Sequence, residues 1–148
     1  MKNIVKGACL LALSIPVAGM AADLPKSASC YEIRYSAEIL ERYPMAPAVC
    51  EEVIEKDGKK YARMDATVIG RDKGIVDLGF KNVFGTQVME LSVEPAPDAT
   101  LTINGKETRW ADVRRGDQIS FYLPERAFGF VHSPGIDQPL KPVPLKSK

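Results

Sequence analysis

The stretch ATLTINGKETRWADVRRGDQISFYL, residues 99–123, contains the clearest secondary-structure signals in this 148-residue sequence. In its first part, Leu101 and Ile103 alternate with threonines, which is the period-two pattern of a half-buried strand. Asn104-Gly105 follows at once. Both residues tolerate the positive φ that a type I′ turn requires, so we expect the chain to reverse there as a β-hairpin.

The second part of the stretch predicts a helical turn followed by another strand. Trp110 and Val113 are three residues apart and share one face of a turn over residues 110–115, so we expect Trp110 to close one end of the core. Apolar and polar residues then alternate until Pro124, which ends the strand because proline has no N–H. The apolar positions of this strand are Ile119, Phe121 and Leu123.

Similar alternation upstream predicts strands over residues 52–55, 60–69, 75–80 and 85–93. Asp57-Gly58 predicts a second hairpin turn, and residues 70–74 are expected to form a loop. The core-facing positions of the longest strand are Ala62, Met64, Ala66 and Val68.

The segment before these strands predicts one short helix. Ser36 is a candidate N-cap for it, and Pro44 ends it. Tyr31, Ile33 and Tyr35 alternate as core residues of an extended segment would. The predicted fold is therefore mainly β, a small antiparallel barrel or sandwich of five to seven strands with one short N-terminal helix and one disulfide.

One part of the chain resembles a known type of unit. The order Asn104-Gly105-Lys106, a helical turn with Val113, Arg115-Gly116-Asp117 and an alternating strand is similar to the small β-barrel or OB-like units of uncharacterised secreted bacterial envelope proteins. The resemblance covers about a fifth of the chain. It implies a fold and no functional residues, because such units host many unrelated functions.

The two ends of the chain differ from its middle. Residues 1–21 are typical of a secretory signal peptide, with Lys2 and Lys6 ahead of an apolar run that is too short to span a bilayer. We expect a single β-rich domain over residues 22–133. The Pro- and Lys-rich residues 134–148 predict a flexible tail, with docking on a partner as the alternative.

Cleavage of the signal peptide would leave Cys30 and Cys50, the number needed for one disulfide in an oxidising compartment. The expected location is therefore the bacterial periplasm or the outside of the cell. The disulfide should stabilise the fold by about 3 kcal/mol. A catalytic dithiol is normally Cys-x-x-Cys, and a metal site needs more ligands than two cysteines and the distant His132. We expect no metal and no cofactor.

The charge is nearly balanced, with 20 basic and 19 acidic residues in the whole chain. Removal of residues 1–21 takes away two lysines and leaves 18 basic against 19 acidic residues, a net charge of −1. A nucleic-acid or anionic-membrane partner usually requires a basic domain or segment, so neither partner is expected, and nor is an integral membrane segment in the mature chain.

Three loops are candidate binding sites: residues 70–74, 81–85 and 109–117. The arginines of the last loop are able to hold an anionic ligand, although such a cluster on a short turn is more often a solvated face. The candidate binding residues are Arg71, Lys73, Lys81, Asn82, Arg109, Trp110, Arg114 and Arg115.

No catalytic motif is recognisable. A hydrolytic triad would need His132, the only histidine, with Asp117 and one of Ser133, Ser120 or Ser92, but the chain has no Gly-x-Ser-x-Gly motif. We therefore expect a non-enzymatic periplasmic or secreted binding module that contacts a protein or a cell-wall component. The alternatives are a periplasmic inhibitor or immunity protein, which would insert one loop into an enzyme's cleft, and a small envelope hydrolase.

Overall fold

The strands of this protein are arranged around the longest of them. The computed structural model describes residues 26–135, 140, 142 and 143, so the predicted signal peptide lies outside the described residues. Within these residues, one α-helix, α1 (Ala37–Arg42), precedes the strands, and short 3₁₀ turns lie at Ala28–Tyr31, Pro47–Val49 and Trp110–Asp112. The strands are β1 (Cys50–Lys56), β2 (Lys59–Asp72), β3 (Ile75–Lys81), β4 (Gln87–Val93), β5 (Thr100–Ile103), β6 (Lys106–Arg109) and β7 (Gln118–Pro124).

Strand β2 pairs antiparallel with three other strands. Along one edge its first half pairs with β1 and its second half with β3. Its other edge pairs with β7, from Tyr61 opposite Pro124 to Thr67 opposite Gln118. Since β4 pairs with β3, these strands form one five-stranded sheet, while β5 and β6 form a separate two-stranded sheet. The prediction of a mainly β, antiparallel fold is confirmed.

Of the two predicted architectures, barrel or sandwich, the barrel is wrong, because the described strands do not close on themselves. At its outer edge β4 bonds Val143 and bridges Pro142, not β5. The link between β4 and β5 contains Pro95 and Pro97, which have no N–H to donate, so the chain leaves the sheet before β5 begins. The stretch 99–123, which resembles a small barrel unit, is consequently divided between two sheets.

Two-residue turns connect the strands of three hairpins, β1–β2, β2–β3 and β5–β6. The predicted turns have positive φ at both central residues, 53° and 74° at Asp57-Gly58 and 52° and 75° at Asn104-Gly105. Lys73-Gly74 makes the same kind of turn, with φ of 48° and 84°. Strands β2 and β3 therefore remain paired up to Asp72 opposite Ile75, and the loop predicted over residues 70–74 is a two-residue turn.

The core lies on one face of the sheet. The alternation predicted for β2 is confirmed, since Ala62, Met64, Ala66 and Val68 are at most 1 % exposed. Trp110 packs into the same core, with its ring centroid 6.2 Å from that of Phe121. The other core-facing strand residues include Val76, Leu78, Phe80, Leu91, Val93, Ile119 and Leu123.

The segment before β1 is attached by the predicted disulfide. Cys30 and Cys50 are bonded, and both are buried. Ser36 caps α1 by accepting a hydrogen bond from the Ile39 N–H at 3.2 Å. Tyr31 is 69 % exposed, so the prediction that it belongs to the core is wrong. A 3₁₀ turn replaces the predicted extended segment at this residue.

The described residues of the C-terminal segment contact the domain. The Leu140 N–H donates to the Phe130 carbonyl and the Val143 N–H donates to the Ser92 carbonyl, both at 2.8 Å. Leu140 also packs against the core. The rest of the predicted tail, beyond residue 135, lies outside the described residues.

Candidate functional site

The loop between β3 and β4, residues 82–86, is held in one shape by the side chain of Asn82. This side chain is 5 % exposed, and its Oδ1 accepts hydrogen bonds from the Phe84 N–H and the Thr86 N–H, each at 3.0 Å. The Asn82 N–H donates to the Thr86 carbonyl at 2.9 Å, and the Gly85 N–H donates to the Asn82 carbonyl at 3.0 Å. Four hydrogen bonds thus fix a loop of five residues.

The same loop presents two large apolar side chains to solvent. Val83 is 49 % exposed and Phe84 is 65 % exposed, although apolar residues of this size are usually buried. They stand next to each other at the tip, between the bracing Asn82 and Gly85, whose φ is +77°. A rigid loop with an exposed aromatic tip is a typical feature of protein-binding surfaces.

Lys81 and Asn82 lie at this end of β3 but have different roles. Lys81 is exposed and lines a shallow cavity of about 210 Å³ together with Lys26 and Asp65. Lys26 also forms an ion pair with Glu51 at the cavity wall. Asn82 points inward and organises the loop, so it is not part of the exposed surface at this end of β3.

Arg71 and Lys73 lie at the opposite end of β3. Arg71 is on β2, and its Nη1 donates to the carbonyl oxygens of Ala111 at 2.5 Å and Val113 at 3.3 Å. This contact joins the β2–β3 hairpin to the segment after β6. Lys73 is an exposed residue of the hairpin turn.

The arginines of the predicted cluster differ in their surroundings. Arg109 is paired with Asp112 through two hydrogen bonds of 2.9 and 3.3 Å, so its guanidinium already has a carboxylate partner. Arg114 and Arg115 are exposed. Trp110 is 2 % exposed and belongs to the core. The eight predicted binding residues therefore fall into two groups, one with Lys81 and Asn82 and one with the other six. The two groups are separated by β3, which is about 20 Å long by strand geometry.

A second, larger cavity was not predicted from the sequence. It has a volume of about 480 Å³ and lies between the β5–β6 hairpin and the outer face of β7. Residues after β7 form its third wall, and the Tyr122 N–H and carbonyl hold them by bonding the Val131 carbonyl and N–H at 2.7 and 2.9 Å. The lining residues from this third wall are His132, Ser133 and Pro134.

The cavity contains three of the residues considered for a hydrolytic triad. His132, Ser133 and Ser120 all line it. The Ser120 hydroxyl donates to Asp65 Oδ1 at 2.7 Å, and His132 Nδ1 is buried without a hydrogen-bond partner among the described residues. Burial lowers the pKa of His132 from its usual 6.5.

The other candidate triad residues have structural roles elsewhere. Asp117 accepts a hydrogen bond from the Arg114 N–H at 2.8 Å in the turn before β7. Ser92 donates to Asp77 Oδ1 at 2.5 Å across β3 and β4. The structure thus gathers the histidine and two serines but assigns the predicted aspartate to a turn.

The apolar tip was within a predicted binding loop, but its residues were not singled out. The candidate residues predicted in that loop are Lys81 and Asn82. The sequence Asn-Val-Phe-Gly contains the missed feature, since two large apolar residues inside a turn are unusual where polar residues dominate.

Among the described residues, no group of three or more His, Cys, Asp or Glu side chains is arranged to hold a metal ion. No helix in that part of the chain has the length and apolarity needed to cross a membrane. Comparison of the chain with protein-family models, with curated proteins and with solved structures gives no significant match.

Proposed function

We propose that this protein is a non-enzymatic periplasmic or secreted binding module, and that it contacts a protein partner through the tip of the β3–β4 loop. The observation that supports this proposal best is the exposure of Val83 and Phe84, 49 % and 65 %, on a loop that Asn82 braces. The disulfide agrees with an oxidising compartment.

The loop suits a concave, apolar partner surface. Val83 and Phe84 protrude from a turn, so they are shaped to enter a cleft rather than to cover a flat patch. Because the loop is already ordered, binding would cost little conformational entropy, which favours affinity. Aromatic side chains that fill a partner's pocket often contribute 2 kcal/mol or more, about thirtyfold in affinity.

The second candidate function, an inhibitor or immunity protein, uses the same loop. A braced loop that projects a side chain is suited to block an enzyme's cleft, as that function requires. The identity of the captured partner distinguishes the two functions: an inhibitor binds an enzyme and abolishes its activity, whereas an adaptor leaves its partner's activity intact.

The test is cross-linking of the tagged full-length chain in its own envelope, followed by mass spectrometry. The wild type is compared with a Val83→Ser/Phe84→Ser variant, in which both exposed apolar side chains become polar. The matched control is Tyr31→Ser, because Tyr31 is equally exposed, at 69 %, but lies before α1. All three proteins should have the same thermal stability, since these side chains are exposed.

We expect the wild type and the Tyr31→Ser control to capture the same dominant protein, and the loop variant to lose it. If the loop variant captures that protein as well as the wild type does, the β3–β4 loop is not the contact and the proposal is wrong. Capture of wall fragments in place of a protein would also contradict it.

A further inference from the structure

The cavity between the β5–β6 hairpin and β7 is separate from the β3–β4 loop, and it has the size of a small-molecule site. Its volume is about 480 Å³, within the range of about 300 to 1,000 Å³ that is usual for ligand pockets. A water molecule in the liquid takes about 30 Å³, so the cavity has room for a ligand of about 10 to 15 non-hydrogen atoms. This corresponds to one sugar ring, not to a long chain.

The walls of the cavity are rich in hydroxyl groups. Because Leu101 and Phe121 face the core, the neighbouring side chains on β5 and β7 face outward to the cavity. Ser120 gives its proton to Asp65, so its oxygen remains free to accept from a ligand. The hydroxyl-bearing lining residues are Thr100, Thr102, Ser120, Tyr122 and Ser133.

Glu107 makes the cavity lining negatively charged. It lies opposite Thr102 in the β5–β6 pairing and is the one charged residue among the described residues that line the cavity. Arg109 shares this face of the hairpin, opposite Thr100, but it is paired with Asp112 at 2.9 Å and is not among the residues that line the cavity. Lys106 lies opposite Ile103 and so points to the other face.

His132, the remaining polar residue of the lining, adds no positive charge. Burial lowers the pKa of His132, so its ring is neutral near pH 7. An anionic ligand would therefore meet one carboxylate and no cationic partner in this cavity. A ligand with an ammonium group would find both a counter-charge and hydrogen-bonding hydroxyls.

We propose that this cavity binds a small, hydroxyl-rich ligand with one ammonium group, such as a single-ring amino sugar. Glu107 holds the ammonium group, and the hydroxyls of β5, β7 and Ser133 bond the ligand's own hydroxyls. Tyr122 and Pro134 offer apolar surface to the ring face.

The single histidine of the chain provides a direct probe of the cavity. Proton NMR of the His132 ring in the full chain, at constant pH near 7, is followed during titration with glucosamine. Glucose is the matched neutral sugar, because it has a hydroxyl where glucosamine has the ammonium group. Glucuronate is the anionic comparison.

We expect glucosamine to shift the His132 resonance to saturation and to bind about fivefold more tightly than glucose, the effect of an ion pair worth about 1 kcal/mol. Glucuronate should bind most weakly. Glu107→Gln should remove the preference for glucosamine, whereas Glu41→Gln, an exposed change on α1, should retain it.

Two results would overturn the proposal. One is that no sugar shifts the resonance at concentrations up to about 50 mM, far above the millimolar range of weak binding. The other is that glucosamine, glucose and glucuronate bind equally in the wild type. The Val83→Ser/Phe84→Ser variant should bind glucosamine as the wild type does, so failure of this proposal is distinguishable from failure of the protein-binding proposal.

Discussion

Replacement of Asn82 by alanine tests whether one side chain holds the β3–β4 loop in shape. The substitution removes the Oδ1 atom that accepts from the Phe84 and Thr86 N–H groups, each at 3.0 Å, and leaves the two backbone hydrogen bonds of residue 82 in place. A typical intramolecular hydrogen bond contributes about 0.5 to 1.5 kcal/mol to stability, so two of them give about 2 kcal/mol. We expect Asn82→Ala to lower the free energy of unfolding by that amount.

The assay is equilibrium unfolding in urea, followed by tryptophan fluorescence. Trp110 is the single tryptophan of the chain and is 2 % exposed, so its emission reports the loss of the core directly. The slope of the transition should be unchanged, because the surface exposed on unfolding is the same. The midpoint should move to lower urea.

The control is Asn82→Asp, which keeps an oxygen acceptor in the same place. Its charge is disfavoured by burial and favoured by the two N–H donors, so we expect it to lose about 1 kcal/mol at most. A loss below about 0.5 kcal/mol for Asn82→Ala, the size of an ordinary surface change, would refute the bracing role. Equal losses for the two variants would refute it as well.

Three further predictions concern stability. Burial raises the pKa of Tyr35 from 10.0 to about 12, and its buried hydroxyl has no hydrogen-bond partner among the described residues. The unfolded chain then releases this proton first, so stability should fall as pH rises from 10.0 towards about 12. Tyr35→Phe should remove that fall and raise the free energy of unfolding by about 1 kcal/mol at neutral pH, measured by urea unfolding at neutral pH and above pH 10.0. A variant that is less stable than the wild type at neutral pH would contradict this. Because burial lowers the pKa of His132, the unfolded chain binds a proton before the folded chain does, and stability should decrease as pH falls below 6.5. His132→Gln should reduce this dependence of the free energy of unfolding on pH, measured by urea unfolding between neutral pH and about pH 5. An unchanged dependence would show that other groups cause it. Replacement of both Cys30 and Cys50 by alanine should cost about 3 kcal/mol by the same fluorescence assay, and a loss under about 1 kcal/mol would show that the disulfide restricts the unfolded chain little.

The strands that depend on local pattern were predictable from the sequence. Alternation placed Met64 and Phe121 in the core, and both are fully buried. Asn-Gly and Asp-Gly located two turns because these residues tolerate positive φ. Lys73-Gly74 was missed, since lysine is not a usual residue at a position with φ of 48°.

The pairing between distant strands was not predictable in the same way. Strands β2 and β7 join residues 61–67 to residues 118–124, and no local pattern specifies which strand lies at that edge. The open arrangement also depends on where the chain goes after Pro95 and Pro97. Proline shows that a strand ends, but it does not show which strand the chain meets next.

The candidate sites differ in how much the sequence revealed. The β3–β4 loop is continuous in sequence, so its position was found although Val83 and Phe84 were not chosen. The cavity combines residues from β5, β6, β7 and the segment after residue 131, and only the folded chain brings them together. His132 and Ser133 were noticed as neighbours in sequence, but the hydroxyls facing them were not.

The central position of β2 affects how the chain folds. The β1–β2, β2–β3 and β3–β4 hairpins can form from residues up to about 93, but the other edge of β2 has no partner until residues 118–124 are in place. Until then Tyr61 to Thr67 present free backbone N–H and carbonyl groups beside an incomplete apolar core, which is the kind of edge on which chains aggregate. Pairing of β7 is therefore the step that turns an aggregation-prone intermediate into a folded domain, and truncations before Pro124 should accumulate as aggregates rather than as smaller soluble domains.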